Sequence, residues 1–251
     1  MDKEFGIKIE EASAELLDAD PRRRLSAARR LTEIGMNLPL EERSVIVEKL
    51  CKLVNNKEAF IRWNVAISLG LLRDPLGLEA LEKLSTDPHA NVRLRVALSL
   101  GMFGDERGID ILEKMISDSY EISGHAVVRA LVAMSVGKLG HEKGVTILAR
   151  MVSDRDPVVR WHVAVAFGDI GHESGVEQLS KLAQDPNPFV RGHTAIALAQ
   201  LGVAKGLPIL KQILLFTAKR SEETGNEAEK KMAKVCNDAL QTLEQITERT
   251  R

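Results

Sequence analysis

The sequence has few aromatic residues. Phe, Trp and Tyr make up 4% of its 251 residues, and Tyr120 is the only tyrosine. Strand-rich proteins and ligand-stacking sites depend on these residue types, so their scarcity argues against both. The apolar content comes mainly from Ala, Leu and Val, which suit closely packed helices.

Cysteine, net charge and long apolar runs are also scarce. Cys51 and Cys236 lie far apart and match no metal-ligand spacing, which favours a reducing compartment. Lys and Arg total 35 against 36 Asp and Glu, whereas nucleic-acid-binding domains usually have a pI above about 9. No run approaches the roughly 18 apolar residues of a membrane span, and the first residues do not resemble a signal peptide. We therefore expect a cytoplasmic protein.

A repeat dominates the rest of the sequence. Five copies align on an arginine that usually follows valine, and the spacings between these arginines are 31, 36, 31 and 31 residues. Each is followed by Ala after four residues, a small residue after eight and Gly after fifteen. The five repeat arginines are Arg62, Arg93, Arg129, Arg160 and Arg191. A weaker first copy contains Arg24, Ala28 and Gly35.

Each copy is expected to form two helices joined by a glycine-bounded turn. In the third copy, apolar residues recur at three- and four-residue spacing, which predicts one buried stripe on each helix. The first stripe comprises Val92, Val96, Leu100 and Phe103, and the second Ile109, Leu112, Met115 and Ile116. Asp87-Pro88 and Asp185-Pro186 are expected to open the first helices of their copies.

The pattern Asp-Pro-x-x-x-Val-Arg-x-x-x-Ala-x-x-Leu-Gly resembles the HEAT-like repeats first described in phycobilisome lyases. The resemblance covers nearly the whole chain and implies an all-α, armadillo-like α-solenoid of about six hairpins plus terminal capping helices. The expected boundaries are 1–19 for the N-terminal cap, 20–55, 56–86, 87–117, 118–153, 154–184 and 185–219 for the repeats, and 220–251 for the C-terminal cap. Within the caps, helices are expected at Glu10–Asp18 and Asn226–Glu248, with a linker loop at Ser221–Asn226.

The resemblance also implies a ladder of arginines and aspartates between repeats. The expected pairs are Asp87 with Arg93, Asp154 with Arg160, and Asp185 with Arg191. The second copy departs from the pattern, because Asn56 replaces the aspartate and Arg73 replaces the glycine that ends the first helix.

Charged residues recur at two equivalent positions on the second helices, and we call each set a file. The acidic file comprises Glu79, Asp110 and Glu177, and the basic file comprises Lys83, Lys114, Arg150 and Lys181. The resemblance implies that these helices line a concave face, so both files are candidates for binding a protein partner. Alternatively, they are ordinary i,i+4 ion pairs on a solvated surface.

The fourth copy carries five extra residues before its first helix, within 117–126. The insertion contains Tyr120 and His125, which are further candidates for partner binding because insertions in repeat proteins often project from one edge. Alternatively, the insertion is a tolerated loop, since lengthening a loop costs little free energy.

Two histidines occupy corresponding turns in adjacent copies. His141 and His172 could share a metal, but the third copy has Asp105 at this position, which favours ordinary polar turn residues. Deoxyhypusine hydroxylase, an iron enzyme of similar repeats, carries His-Glu pairs inside its first helices. The nearest positions here are His162 and His193, which lack the glutamate. We predict no metal and no other cofactor.

The function predicted from these observations is a non-catalytic scaffold or adaptor that binds another protein through its second helices. No catalytic motif occurs, and Trp63 and Trp161 are expected to pack between repeats. We expect a monomer that does not bind membranes.

One alternative, implied by the resemblance, is an accessory lyase-like or chaperone-like factor for attaching a bilin-type cofactor to another protein. A second is nucleic-acid binding through Arg22, Arg23, Arg24, Arg29 and Arg30, which otherwise form the polar surface of a terminal repeat.

Overall fold

The computed structural model describes residues 3–116 and 125–249, and within them the chain is helical with no strand. The α-helices are α1 (Lys3–Glu15), α2 (Pro21–Met36), α3 (Ser44–Cys51), α4 (Ala59–Leu72), α5 (Gly77–Leu84), α6 (Ala90–Phe103), α7 (Gly108–Ile116), α8 (His125–Leu139), α9 (Lys143–Ala149), α10 (Pro157–Ile170), α11 (Gly175–Lys181), α12 (Pro188–Leu201), α13 (Gly206–Thr224) and α14 (Glu227–Arg249). A 3-10 helix, Leu40–Glu42, precedes α3. The predicted all-α solenoid of helical hairpins is confirmed.

The even-numbered helices from α2 to α12 are the first helices of the repeats, and the odd-numbered helices from α3 to α13 are the second. The chain divides into two compact units, residues 1–135 and residues 136–251, with the division inside α8. No helix of the described segments is both long enough and apolar enough to cross a membrane.

Of the residues predicted to form the hydrophobic stripes of the third copy, all but the half-buried Ile116 are buried. Val92, Val96 and Leu100 are fully buried, as is Leu112 on the second helix. The two helices differ in their other sides. On α5 and α7 the exposed positions carry charged side chains, whereas α4 and α6 are apolar around most of their circumference.

Two expectations about the starts of first helices were wrong. Helix α6 begins at Ala90 and α12 at Pro188, two to three residues after the predicted Asp-Pro pairs. The carboxylates of Asp87 and Asp185 accept main-chain N–H bonds from His89 and Asn187, at 2.8 and 2.9 Å, and so form turns before the helices. The Asp-Pro pair Asp156-Pro157 does open a helix, because Asp156 caps the amide of Val158 at 2.8 Å.

The ends of the chain also differ from expectation. Helix α1 spans Lys3–Glu15 instead of Glu10–Asp18, and the predicted loop Ser221–Asn226 is mostly the last turn of α13. Serine and glutamate do not stop a helix by themselves, so α13 continues until Gly225, whose φ is +61°. Helix α14 follows almost at once and buries Cys236, Ala239 and Leu243.

First helices approach each other closely at the small residue eight positions after the repeat arginine. In unit 1–135, a Cβ on Gly70 would lie 2.7 Å from the Cβ of Ser99. In unit 136–251, a Cβ on Gly137 would lie 2.8 Å from the main-chain Cα of Ala166. The small residues are therefore required by helix–helix distance, which explains their place in the repeat.

Candidate protein-binding surfaces

The repeat arginines join successive copies, but through atoms other than those expected. Arg93, Arg160 and Arg191 each donate to the main-chain carbonyl of the predicted aspartate, at 2.7, 2.8 and 2.6 Å. The carboxylates of Asp87 and Asp185 are bound instead by the arginine of the preceding copy. Arg62 contacts Asp87 at 2.6 and 2.9 Å, and Arg160 contacts Asp185 at 2.6 and 2.8 Å. These arginines are therefore structural.

The last repeat arginine has no following repeat, and its acidic partner comes from the C-terminal helix instead. Arg191 is fully buried and pairs with Glu229 of α14, which also accepts from Arg220 at 3.1 Å. Arg191 donates a further bond to the hydroxyl of Thr217 at 2.9 Å. Burial lowers the pKa of Arg191, against the opposing effect of Glu229. Helix α14 thus completes the last repeat and leaves this arginine unavailable to a partner.

All seven candidate residues of the second-helix files are exposed. Among the described residues no ion pair joins Glu79 to Lys83 or Glu177 to Lys181. In the third copy, however, the bond from Lys114 to Glu82, with the charges of Glu82 and Asp110, raises the pKa of Lys114, so both interpretations of the files stand as hypotheses. Lys181 donates to Gln178 at 2.7 Å, and Lys114 pairs with Glu82 of the preceding second helix. The files remain candidates for binding a protein partner.

Shallow grooves separate neighbouring second helices within each unit. One of about 300 Å³ lies between α3 and α5 and is lined by Cys51, Glu79 and Lys83. Another of about 540 Å³ lies between α9 and α11 and includes Thr146, Glu177 and other polar side chains. Burial, reinforced by Glu79, raises the pKa of the Cys51 thiol, so this cysteine is held in its protonated, unreactive form.

The described residues include only the end of the predicted insertion. Tyr120 lies outside the described residues, as do the other residues from 117 to 124. His125 begins helix α8, so the first helix of this copy starts inside the segment expected to be a loop.

The first helices present a surface that sequence reasoning missed. The residue five positions after each repeat arginine is apolar and partly exposed in all five copies. These residues are Ile67, Leu98, Met134, Val165 and Ile196, of which Ile196 is 37% exposed. We call this side of the first helices the first-helix face. The sequence signal for this surface is an apolar residue at a fixed position after the repeat arginine.

Aromatic residues add to the first-helix face at equivalent places in the two units. The guanidinium of Arg95 lies over the ring of Trp63, 4.9 Å from its centroid. Likewise, the ring of His193 stacks on Trp161, at 5.0 Å and 11°. In each case a tryptophan one residue after a repeat arginine contacts the next copy, so the expectation that these residues pack between repeats is confirmed. His162 and His193 are part of this packing, and Nδ1 of His162 bonds with the carbonyl oxygen of Val158 at 2.7 Å.

The N-terminal arginines are divided between structural and free positions. Arg24 is buried and contacts Glu58 of the next copy at 3.0 Å, while Arg23 pairs with Asp18 and Arg30 with Glu15. In residues 3–116 and 125–249, neither Arg22 nor Arg29 has an acidic partner, and Arg29 makes one contact of 3.4 Å to Asn64. The cluster is therefore not a uniform basic patch.

The paired turn histidines bind their own turns. His141 accepts from the amide of Lys143 at 3.1 Å, and His172 contacts the hydroxyl of Ser174 at 2.7 Å. His172 also lies 3.5 Å from Glu142 of the preceding copy. Across the described part of the chain, no group of three or more His, Cys, Asp or Glu side chains could hold a metal ion.

Comparison with known proteins gives one family. A family model described as HEAT repeats matches residues 47–131, 121–175 and 147–221. None of the curated proteins matches the sequence.

Several solved structures share the fold at low identity. The chain is similar to a protein in the CpcE–CpcF complex of phycocyanin lyase from Nostoc sp. PCC7120, with 18% identity, a TM-score of 0.55 and 94% of each chain covered. It is similar to YibA of Escherichia coli, with 16% identity, a TM-score of 0.60, and 95% of this chain and 82% of that one covered. It is also similar to an archaeal HEAT-like repeat protein from Thermococcus onnurineus NA1, with 13% identity, a TM-score of 0.57 and coverages of 92% and 98%. The repeats matched by the family model span most of the sequence, and the chain belongs to the HEAT-repeat family.

Proposed function

We propose that this chain is a non-catalytic scaffold that binds another protein. The observation that carries the proposal is the first-helix face, where five copies keep an apolar side chain partly exposed at the same position. An isolated exposed apolar residue needs no explanation, but its recurrence at the same repeat position within each unit is typical of an interaction surface.

The second-helix files support the same function from the other helix of each repeat. Their charged groups are exposed, and grooves of about 300 and 540 Å³ lie beside Glu79 and Glu177. We propose them as a second, polar contact surface, because charged rims set the specificity and rate of association more than its affinity.

Site-specific photo-crosslinking tests the proposal in cells. A photoreactive amino acid is placed at Met36 or Ile196 on the side of the first helices, and at Lys83 or Lys181 on the second helices. All four positions are exposed, so the substitution leaves the core intact. Glu41 in the 3-10 helix is the matched control, since it is exposed but belongs to neither surface.

A discrete crosslinked protein at either surface, absent at Glu41, is the expected result. Crosslinking no stronger than the control at all four positions would contradict the proposal. The fold shared with the phycocyanin lyase protein motivates the accessory role in cofactor attachment as the alternative. An absorbance band in the visible range after native purification would favour that role over the scaffold.

A further inference from the structure

A groove on the side of the first helices in unit 1–135 has the chemistry of a peptide-binding site. It has a volume of about 370 Å³ and lies between α2 and α4. Met36, Ile67 and Leu71 supply its apolar surface, and Met36 is 51% exposed. Leu98 and Met102 of α6 occupy the same repeat positions as Ile67 and Leu71 and are also partly exposed. The apolar surface therefore continues from α4 to α6.

Three arginines accompany this apolar surface without an acidic partner of their own. Within the described residues, no carboxylate lies within ion-pair distance of Arg22, Arg29 or Arg95. Arg29 lines the groove, and Arg95 is held over the ring of Trp63. Neighbouring arginines do have acids, since Arg23 pairs with Asp18, Arg30 with Glu15 and Arg62 with Asp87. Arg22, Arg29 and Arg95 can therefore pair with the carboxylates of a partner.

We propose that the first-helix face of unit 1–135, with the groove between α2 and α4, binds an acidic amphipathic segment of the partner protein. Its apolar side chains occupy the groove beside Ile67 and Leu71, and its carboxylates pair with Arg22, Arg29 and Arg95. The inference rests on the proposed scaffold function and names the chemistry of the partner.

The charges around the groove distinguish this partner from other polyanions. Arg29 and Arg95 stand on different helices with apolar side chains between them, whereas a nucleic-acid backbone needs a continuous basic track. Arginine also binds carboxylates in a bidentate, charge-assisted manner, which suits aspartate and glutamate side chains. The groove has one acid, Glu33, on its rim. The partner segment should therefore be neutral or basic where it passes Glu33. This requirement fixes the orientation of the segment along the groove.

Three labelled synthetic peptides of equal length test the inference by fluorescence anisotropy with the full chain. The first has a stripe of leucines flanked by glutamates, the second replaces the glutamates by lysines, and the third keeps the glutamates but replaces the leucines by serines. We expect the first peptide to bind at least about tenfold more tightly than either of the others, because both contacts are needed.

Charge-reversal variants locate the site. Arg29→Glu, alone and with Arg22→Glu, is expected to weaken binding of the acidic leucine peptide about tenfold. Both side chains are exposed, so the fold should not change, and circular dichroism checks this. The matched control is Lys83→Glu with Lys181→Glu on the second helices, which should leave the affinity within about twofold.

Several results would overturn the inference. These are failure of all three peptides to bind, equal affinity for the acidic and basic peptides, or an equal loss of affinity in the second-helix control. Tighter binding to duplex DNA or to anionic lipid vesicles than to the acidic peptide would assign the arginines to phosphate instead. If the peptides fail while Met36 still crosslinks to a protein, only the acidic character of the partner is wrong. If no surface crosslinks, the scaffold function itself fails.

Discussion

The guanidinium of Arg62 donates two hydrogen bonds, of 2.6 and 2.9 Å, to the carboxylate of Asp87, which lies 25 residues later in the sequence. The Asp87 side chain is only 3% exposed, so the pair is shielded from water on the aspartate side. Asp87→Asn should lower the free energy of unfolding by about 2–4 kcal/mol, because it leaves a largely buried guanidinium without its counter-charge. Urea unfolding measures the change. Asp105→Asn is the control, since Asp105 pairs with Arg107 in an exposed turn and its loss should cost about 0–1 kcal/mol.

The same carboxylate should make the protein sensitive to acid. Burial raises the pKa of Asp87, but the bonds from Arg62 and the His89 amide outweigh it, so the pKa lies below the ordinary value of 3.8. A lowered pKa stabilises the fold above the unfolded value, and this stability is lost as the pH falls through the folded value. We therefore expect wild-type protein to lose stability below about pH 4 faster than Asp87→Asn. Equal acid dependence in the two proteins would show that Asp87 does not contribute to it.

His193 predicts a second pH effect in a higher range. Burial, aided by the charge of His162, lowers the pKa of His193 below the ordinary value of 6.5. The unfolded chain then binds the proton more readily, so stability is present above about pH 6.5 and decreases on acidification. His193→Phe keeps a ring beside Trp161 but cannot titrate. Between pH 7.5 and 5.5 the wild type should lose more stability than the variant, as measured by urea unfolding at each pH.

Arg73 adopts a backbone conformation that glycine prefers. Its φ is +54°, and it ends α4 where other copies have glycine with φ between +65° and +77°. Arg73→Gly should therefore raise the free energy of unfolding by about 0.5–1 kcal/mol, because glycine removes the steric cost of this conformation. The reverse change, Gly104→Arg, serves as the matched test in the next copy and should destabilise by a similar amount. A destabilised Arg73→Gly variant would contradict the steric argument.

Two helical glycines should respond to alanine in opposite ways. At Gly70 the new methyl group would lie 2.8 Å from the main chain of Ser99, so α4 and α6 must separate. At Gly192 it would meet the side chain of Met232, and its nearest contact would be the sulfur, in the flexible part of that long side chain. Gly70→Ala should cost about 1–3 kcal/mol, whereas Gly192→Ala should be neutral or stabilising by up to about 1 kcal/mol. Equal melting temperatures for the two variants would contradict the close packing at Gly70.

The repeat made much of the fold predictable. Val92, Val96 and Leu100 recur at helical spacing, and each of them is buried, because one periodic stripe can face only one side of a helix. Arg73 departs from the repeat in the sequence itself, and it alone among the described non-glycine residues has a positive φ. Local patterns of this kind depend on neighbours within one or two turns and can be read directly.

The errors arose where a distant residue decides the outcome. The sequence predicts Asp87 as a helix cap, but its carboxylate accepts hydrogen bonds from Arg62 of the preceding copy. No local sequence pattern reveals this contact. Ser221 and its polar neighbours looked like a loop, yet the helix continues until a glycine allows it to stop. The first-helix face was missed for another reason. Ile67 and Ile196 lie outside the buried stripes of their helices, and residue type alone does not distinguish such a position from a core position.

The bond between Arg62 and Asp87 recurs between Arg160 and Asp185 with the same atoms. Each copy of this kind therefore has an arginine that pairs with the next copy and an aspartate that pairs with the preceding one. If the gene duplicated or lost a segment of 31 residues, which is the commonest spacing of the repeat arginines, the newly adjacent copies would already fit. Such a chain can gain or lose whole repeats during evolution, because the contacts between neighbouring repeats stay the same.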